Sequence, residues 1–267
     1  MEDIQNQKGN FEFNINKVGV ENIEYPLRIG KKDGEIISTI GNFSMAVSLE
    51  KNLKGINMSR LPIILSQLYN DKFYIKNYKD DIKFVLDEIC ERLQSKDSYL
   101  DIDFKYFLTK TAPVSKFQGL MPYKCKIKSK FNKITDEFDL ILYVEVPVTT
   151  LCPCSKAISE YSAHNQRGYV IVEIRYNEEV FIEDIISIVE ASASCELYPI
   201  LKRVDEKYVT EKAYENPRFV EDIVRLTAKE LNENHKIIWF KVSSHNQESI
   251  HPHDAFATIE VTKIPKA

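Results

Sequence analysis

Two cysteines and a histidine lie close together in residues 149–168. Cys152 and Cys154 are separated by one proline, and His164 follows ten residues after Cys154. Thiolate and imidazole groups are ligands for zinc and similar divalent ions, and a catalytic site keeps one position open for water. Strand-like runs flank the segment, so a rigid sheet is expected to hold it as a loop. Cys152 and His164 are therefore candidate metal ligands, with redox thiols or ordinary packing as the alternatives.

The cysteine spacing favours a catalytic metal site over a structural one. Cys-Pro-Cys is not the Cys-x-x-Cys chelate of structural zinc sites, and no second cysteine pair completes four ligands. A distant carboxylate can supply the third ligand, and Glu206 is the candidate. Cys154 need not be a ligand, because beside a metal-bound thiolate it can stay protonated and donate a proton. The alternative for Cys154 is a half-buried cysteine in a turn.

A second polar segment covers residues 245–254. Within it, His251 and His253 flank a proline directly before a strand-like run. Imidazoles titrate near neutral pH, so these two are candidate general acid or base groups. Glu248 lies three residues before His251 and can orient it or join a metal. A solvated hairpin turn is the alternative, and we assign His235 and His245 to it.

Charged residues in the second half offer further binding groups. Lys202, Arg203 and Lys207 follow one another closely and suit phosphate oxygens, although a charged surface loop would have the same composition. Glu221 lies in the first turns of a predicted helix, off its apolar stripe. An exposed glutamate favoured by the helix dipole is the default interpretation. A carboxylate that binds two N–H donors of a purine is the more specific one.

Composition limits the class of protein. The chain has 267 residues, a formal net charge of −4, 43% hydrophobic and 28% charged residues, as is usual for a globular protein with a large core. No basic excess points to nucleic acid, and no apolar run approaches the ~20 residues of a membrane span. The polar, acidic N-terminus is unlike a signal peptide. We therefore expect a cytoplasmic protein without disulfides, with Cys90 and Cys125 as structural residues.

Hydrophobic periodicity predicts an α+β fold with an internal repeat. Each half reads strand–strand–helix–helix–strand–strand, which favours an antiparallel four-stranded sheet with two helices on one face. Ser59 and Asp80 are expected to cap the first two helices, and Asn216 with Pro217 to start the last. Residues 1–15 are predicted to be a flexible tail, residues 16–133 a first module and residues 134–267 a second module that carries the chemistry. Unpaired sheet edges must be covered, which predicts a homo-oligomer.

Several common enzyme motifs are absent from the sequence. It has no Gly-x-Gly-x-x-Gly, no Walker loop, no Gly-x-Ser-x-Gly elbow and no nucleoside-deaminase signature. Dinucleotide-binding, P-loop, α/β-hydrolase and deaminase folds are therefore disfavoured.

Taken together, these residues resemble the type IB family of prokaryotic GTP cyclohydrolase I. The resemblance extends over almost the whole chain beyond residue 15, and many matched segments in order make it far more specific than any single motif. The matching segments are residues 55–60, 147–156, 163–168, 195–199, 202–211, 214–217, 219–222 and 248–254.

The resemblance implies a fold and a reaction. It implies two tandem tunnelling-fold modules per subunit and a homotetramer with active sites at subunit interfaces. It also implies conversion of GTP and water to 7,8-dihydroneopterin triphosphate and formate, the first step of tetrahydrofolate synthesis and, in many bacteria, of 7-deazapurine (queuosine) tRNA modification. The cofactor would be one divalent ion per site: zinc, manganese or iron(II).

The resemblance also assigns roles to residues. Cys152, His164 and Glu206 become the expected metal ligands, and Cys154, Glu248 and His251 the catalytic candidates, with Glu248 and His251 as metal contacts in another state. Glu221 becomes the guanine anchor. For the triphosphate we expect Lys202 and Arg203, with Arg60 from a neighbouring subunit. An archaeal-type relative that forms 7,8-dihydroneopterin 2',3'-cyclic phosphate, a thiol-based nitrile reductase of the same fold and a metal-storing scaffold are the rival interpretations.

Overall fold

The computed structural model describes residues 8–263. Residues 1–7 of the predicted tail, and residues 264–267, lie outside the described part. Nine strands and six helices are found in the described part. They are β1 (Ile15–Gly30), β2 (Ile36–Leu49), α1 (Arg60–Asn70), α2 (Tyr78–Leu93), β3 (Asp97–Thr111), β4 (Gln118–Asn132), β5 (Glu137–Leu151), α3 (Pro153–Ile158), β6 (Asn165–Tyr176), α4 (Ile182–Ser192), β7 (Cys195–Glu196), α5 (Arg203–Glu215), α6 (Val220–Glu233), β8 (Ile237–Gln247) and β9 (Ala255–Thr262).

The chain forms two compact units. The first comprises residues 8–105 and 126–142, and the second comprises residues 106–125 and 143–263. In the first unit the strands hydrogen-bond in the order β1-β2-β3-β4-β5. In the second unit the order is β3-β4-β5-β6-β8-β9, and the two-residue strand β7 pairs with β5. An α+β protein with a large antiparallel sheet is thus confirmed, whereas the module boundary at residue 133 stays a prediction.

The core of each unit follows from the alternation of apolar residues. Along β5, residues 140, 142, 144, 146 and 148 are buried and their neighbours are half-buried, because successive side chains point to opposite faces of a sheet. In the second unit α6 packs against β8 and β9, and α4 packs against α6. Of the predicted α6 stripe, which begins at Val220, residues Ile223, Val224, Thr227 and Leu231 are buried and Val220 is half-buried. Cys90 and Cys125 are buried free thiols, which confirms them as structural residues.

The predicted helix starts need correction. Asn77, not Asp80, caps α2, because its side chain accepts the N–H groups of Lys79 and Asp80. Ser59 precedes α1, but its side chain makes no capping hydrogen bond. Asn216 lies at the C-terminal cap of α5 instead of starting the last helix. Its side-chain amide donates to the carbonyl of Ala193 at 2.9 Å, which ties it to the end of α4.

The segment after β7 also differs from the prediction. The charged stretch around Arg203, interpreted as a surface loop, begins the helix α5. Its apolar stripe is weak, with Asp205 and Ala213 as the buried residues, so periodicity alone does not reveal it. No helix in residues 8–263 is long and apolar enough to cross a membrane.

Candidate active site

One pocket of about 280 Å³ in the second unit gathers most of the predicted chemistry. We call it the Cys152 pocket. Cys152 and His164 line it together with Glu248, His251 and the guanine-anchor candidate Glu221. These residues come from the end of β5, the start of β6, the segment after β8 and the first turn of α6. The fold therefore brings both polar segments of the sequence into one place.

Cys152 is held at the point where β5 ends. Its N–H donates to the carbonyl of His164 at 3.2 Å, which ties the two candidate ligands together through the backbone. Its sulfur accepts the N–H of Ser155 at 3.5 Å as the N-cap of α3. The preceding residue, Leu151, donates its N–H to the hydroxyl of the fully buried Ser194 at 3.1 Å. These contacts fix the backbone that presents the thiol.

Hydroxyl and amide groups orient the other candidate residues. The Ser249 hydroxyl lies 3.3 Å from Nδ1 of His164, which makes Nε2 the ring nitrogen expected to bind a ligand. The Gln166 amide donates to the Glu248 carboxylate at 3.4 Å. Such partners of metal-binding or catalytic side chains fix their orientation.

A buried asparagine forms part of the pocket wall. Asn246 is 1% exposed and is paired across β6 and β8 with Gly168. A Cβ atom at position 168 would lie 2.9 Å from Oδ1 of Asn246, so only glycine leaves room for this amide. The Oδ1 atom also accepts the Ser244 hydroxyl at 3.4 Å.

The start of α6 borders the same pocket. The Arg218 N–H donates to the carbonyl of Leu151 at 3.1 Å, which ties this helix start to the residue before Cys152. The Asp222 carboxylate accepts the N–H of Phe219 at 2.9 Å and closes the first turn. Glu221 is exposed in this turn. A carboxylate here can accept hydrogen bonds from a planar base in the pocket.

The two histidines after β8 stack on each other. The rings of His251 and His253 have centroids 5.1 Å apart, and both side chains are exposed and line the Cys152 pocket. His245, by contrast, lies on β8 and stacks on Phe256 at 6.0 Å instead of sitting in a hairpin turn.

Other predicted site residues do not line this pocket. Glu206 is exposed in the first turn of α5, and Cys154 is exposed on α3. Lys202 and Arg203 are exposed, with the Lys202 amine 4.9 Å from the centre of the Phe117 ring. In residues 8–263 no three Cys, His, Asp or Glu side chains are grouped closely enough to enclose a metal ion. The predicted ligand set of Cys152, His164 and Glu206 thus stays a prediction.

The neighbour of Glu206 is anchored firmly. Asp205 is fully buried and accepts the N–H groups of Val114 and Ser115, each at 2.8 Å, and that of Lys202 at 2.9 Å. Burial alone would raise the pKa of Asp205, but hydrogen bonds, with that from the Ser115 hydroxyl the largest, hold it well below its usual range. The start of α5, and with it Glu206, is therefore fixed to the β3–β4 connection.

A second pocket, of about 710 Å³, shares Gln166 with the first. Glu196 lies on its wall and accepts hydrogen bonds from Lys212 and Tyr198, each at 2.5 Å. Burial opposes ionisation of Glu196, but these two bonds lower its pKa to about 2. The pKa of the adjacent Cys195 is raised to about 12, first by burial and then by the charge of Glu196. Cys195 is therefore a protonated, structural thiol.

Sequence reasoning missed four residues of this region: Gln166, Arg218, Asn246 and Ser249. Strand alternation could have found two of them, because Gln166 follows His164 by two residues and Asn246 precedes Glu248 by two. No sequence signal marks Arg218 or Ser249. Both lie in connecting segments, and the position of such a segment relative to the site depends on the tertiary fold.

The donor types at the Cys152 pocket fit a divalent cation. A thiol and an imidazole face one cavity with a carboxylate, and a hydroxyl sets the orientation of the imidazole ring. Such mixed sulfur, nitrogen and oxygen donors accept zinc, manganese or iron(II).

Two solved urate oxidase structures share the fold of this chain. A hyperthermostable mutant of the urate oxidase from Bacillus sp. TB-90 superposes with a TM-score of 0.56 at 11% identity, covering 92% of this chain and 99% of that one. The uricase from Arthrobacter globiformis gives a TM-score of 0.52 at 9% identity, covering 94% and 95%. At such low identity these likenesses show a shared fold alone.

Comparison of sequences shows the family. A family model described as type I GTP cyclohydrolase folE2 matches residues 1–257. Curated relatives named GTP cyclohydrolase FolE2 are 44% identical in Nitrosococcus oceani, over 98% of this chain and 96% of the relative, and 43% identical in Thermosipho africanus, over 97% of each. The chain therefore belongs to the type I GTP cyclohydrolase FolE2 family.

Proposed function

We propose that this protein is a metal-dependent GTP cyclohydrolase I that converts GTP and water to 7,8-dihydroneopterin triphosphate and formate. One observation carries the proposal beyond family membership: Cys152, His164, Glu221, Glu248 and His251 line a single pocket. Two candidate metal ligands, a candidate base anchor and candidate proton-transfer groups thus line one cavity.

Cys152 and His164, with Glu206 as the third ligand, are the residues we expect to hold the metal; Glu248 and His251 are expected to contact it in another state. When bound, a divalent cation supplies Lewis acidity that makes water nucleophilic near neutral pH. Zinc, manganese and iron(II) are all compatible with these donors.

The side chains of the pocket divide the remaining tasks. Opening the imidazole ring at C8 leaves a nitrogen that must receive a proton, a role for His251 or Cys154. Glu248, which accepts a hydrogen bond from the Gln166 amide, is the residue we expect to accept a proton. Glu221 is proposed to accept the N1–H and 2-amino hydrogens of guanine. It would select against adenine, whose corresponding edge would leave the carboxylate unpaired.

The wider biological setting is part of the proposal. We propose a cytoplasmic homotetramer of subunits that each contain two tandem tunnelling-fold modules, with active sites at subunit interfaces. The product would enter tetrahydrofolate synthesis, and queuosine synthesis is the alternative destination.

The decisive experiment is an anaerobic assay of formate release from GTP, with metal-free protein reloaded with zinc, manganese or iron(II) in turn. Mass spectrometry of the product distinguishes the triphosphate from a cyclic phosphate. Formate release that survives complete removal of metal would contradict the proposal, as would a cyclic phosphate product.

A pair of cysteine variants tests the site itself. Cys152→Ala should lose both metal retention and formate release, because it removes a ligand. Cys154→Ala should keep its metal and lose at least about 100-fold in rate, the lower end of the range for loss of a proton-transfer group. Full metal occupancy in Cys152→Ala would remove Cys152 from the ligand set.

A further inference from the structure

Arg218 is a cation in the Cys152 pocket that pairs with none of the described residues. Its side chain is half-buried and lines the cavity together with Cys152 and Glu221. Its Nε atom is buried and donates to no acceptor in residues 8–263. No carboxylate in the described part of the chain forms an ion pair with this guanidinium, although Glu221 and Glu248 line the same pocket.

A buried guanidinium N–H without an acceptor lowers the stability of the folded protein. Most buried polar groups have a hydrogen-bond partner, and one that lacks a partner loses its hydration without compensation. A fork of N–H donors with a fixed positive charge matches the oxygens of a phosphate group. The terminal nitrogens of the Arg218 guanidinium are not buried, so an anionic ligand in the pocket can accept hydrogen bonds from them.

The backbone holds Arg218 in position. Its N–H donates to the Leu151 carbonyl at 3.1 Å, which joins it to the strand end that carries Cys152. The preceding residue is Pro217, and the following residue, Phe219, is bonded to the Asp222 carboxylate at 2.9 Å. Arg218 is thus hydrogen-bonded to the residue before the Cys152 thiol and precedes the candidate base anchor Glu221 by three residues.

We propose that Arg218 binds a phosphate of the substrate in this pocket. The inference rests on the proposed function, because GTP is the anion that the pocket would receive. It differs from the expectation drawn from the sequence, in which Lys202 and Arg203 met the triphosphate; neither of those residues lines the Cys152 pocket. Arg218 is therefore a substrate-binding residue that distinguishes the nucleotide from the nucleoside.

The test compares GTP with guanosine. Both ligands are titrated calorimetrically into metal-loaded Cys154→Ala protein, in which turnover is slow, with and without a second substitution at position 218. Arg218→Gln should weaken GTP binding by about 10-fold to 100-fold, the range for a hydrogen bond to a charged group, and leave guanosine binding within about twofold. Arg218→Lys keeps the positive charge but not the fork of N–H donors, so its GTP affinity should lie between those of the wild type and Arg218→Gln. Arg225→Gln, on an exposed position of α6, is the matched control and should change neither.

Two outcomes would overturn the assignment of Arg218. Equal weakening of GTP and guanosine by Arg218→Gln would show a role in base binding or in local structure, and unchanged GTP binding would show no role at all. If Arg218→Gln does not fold, Arg218→Lys is compared with the wild type instead, since a folded protein with reduced selectivity for GTP over guanosine is the expected result. Failure of the proposed function looks different: wild-type protein would release no formate from GTP in any metal-loaded form.

Discussion

The ring of His164 owes its orientation to one hydroxyl. Ser249 is exposed in the segment after β8, and its Oγ lies 3.3 Å from Nδ1 of His164. Partners of this kind, which fix the ring and its tautomer, typically change metal affinity by about 10-fold to 100-fold when they are lost. We expect Ser249→Ala to weaken metal binding at the low end of that range, about tenfold, because a solvent molecule can replace an exposed hydroxyl.

The measurement is competition for zinc with a chromophoric chelator. Ser243→Ala is the matched control, because Ser243 lies on β8 and its hydroxyl contacts Thr258 at 3.0 Å instead of a site residue. Unchanged zinc affinity in Ser249→Ala, together with unchanged affinity in the control, would show that the Ser249 contact has no part in metal binding.

For single residues, the sequence predicts which side chains carry the chemistry better than it predicts which neighbours they contact. Thiol, imidazole and carboxylate side chains stand out because few other residues bind metals or transfer protons. Arg218 and Ser249 do not stand out, since arginine and serine are common on surfaces and their function depends on which loop folds back on which strand. The exposed position of Glu206 likewise follows from the path of α5, which periodicity does not predict.

The helix α5 is attached to the sheet by an ion pair at one end and a buried carboxylate at the other. Lys212, near its C-terminus, binds Glu196 at 2.5 Å, with side chains 37% and 18% exposed. Lys212→Met should lower the free energy of unfolding at pH 7 by about 2 kcal/mol, because Glu196 would keep a half-buried charge with one hydrogen bond fewer.

The pH dependence of this effect has a definite sign. The folded-state pKa of Glu196 is about 2, below its ordinary value of 4.5, so its contribution to stability is fully present above pH 4.5 and is lost as the pH falls towards 2. The difference in unfolding free energy between wild type and Lys212→Met should therefore shrink over that interval, as measured by urea unfolding.

Lys207→Met is the control. It removes an exposed pair with Glu211 at 3.7 Å on the same helix and should change stability by less than about 0.5 kcal/mol at any pH. An effect of Lys212→Met that stays constant between pH 7 and pH 3 would contradict the ion-pair explanation.

Elements with a strong apolar pattern are predictable from sequence, and elements held by polar contacts are not. The long strands and the stripes of α2 and α6 agree with their burial because burial of apolar area drives both pattern and packing. The strand β7 has two residues and is defined by pairing with Val148 and Thr149, which lie far away in sequence. Asn216 has the residue types of a helix start, but its amide bonds to Ala193 instead, a tertiary contact that overrides the local preference.

On the scale of the whole molecule, the outer strands leave surfaces that a second copy could cover. In the described residues β9 is the last strand of its order and is hydrogen-bonded along one side only, to β8. Its residue Phe256 is 70% exposed, with its ring against His245. Open edges with exposed aromatic residues favour association between chains, so β9 is a candidate contact in the proposed homo-oligomer.

Phe256→Lys tests whether this strand takes part in assembly. Burying a lysine amine in an interface without a partner costs on the order of 2 kcal/mol or more. The variant should therefore dissociate to smaller species. If active sites form between subunits, its rate of GTP turnover should also fall at least about tenfold. Light scattering coupled to size-exclusion chromatography measures the mass at several protein concentrations. Ile134→Lys, at a turn position that is 77% exposed in the other unit, is the control for adding the same charge to an apolar surface. A Phe256→Lys protein that keeps the mass and the activity of the wild type would show that this part of β9 lies outside the interface.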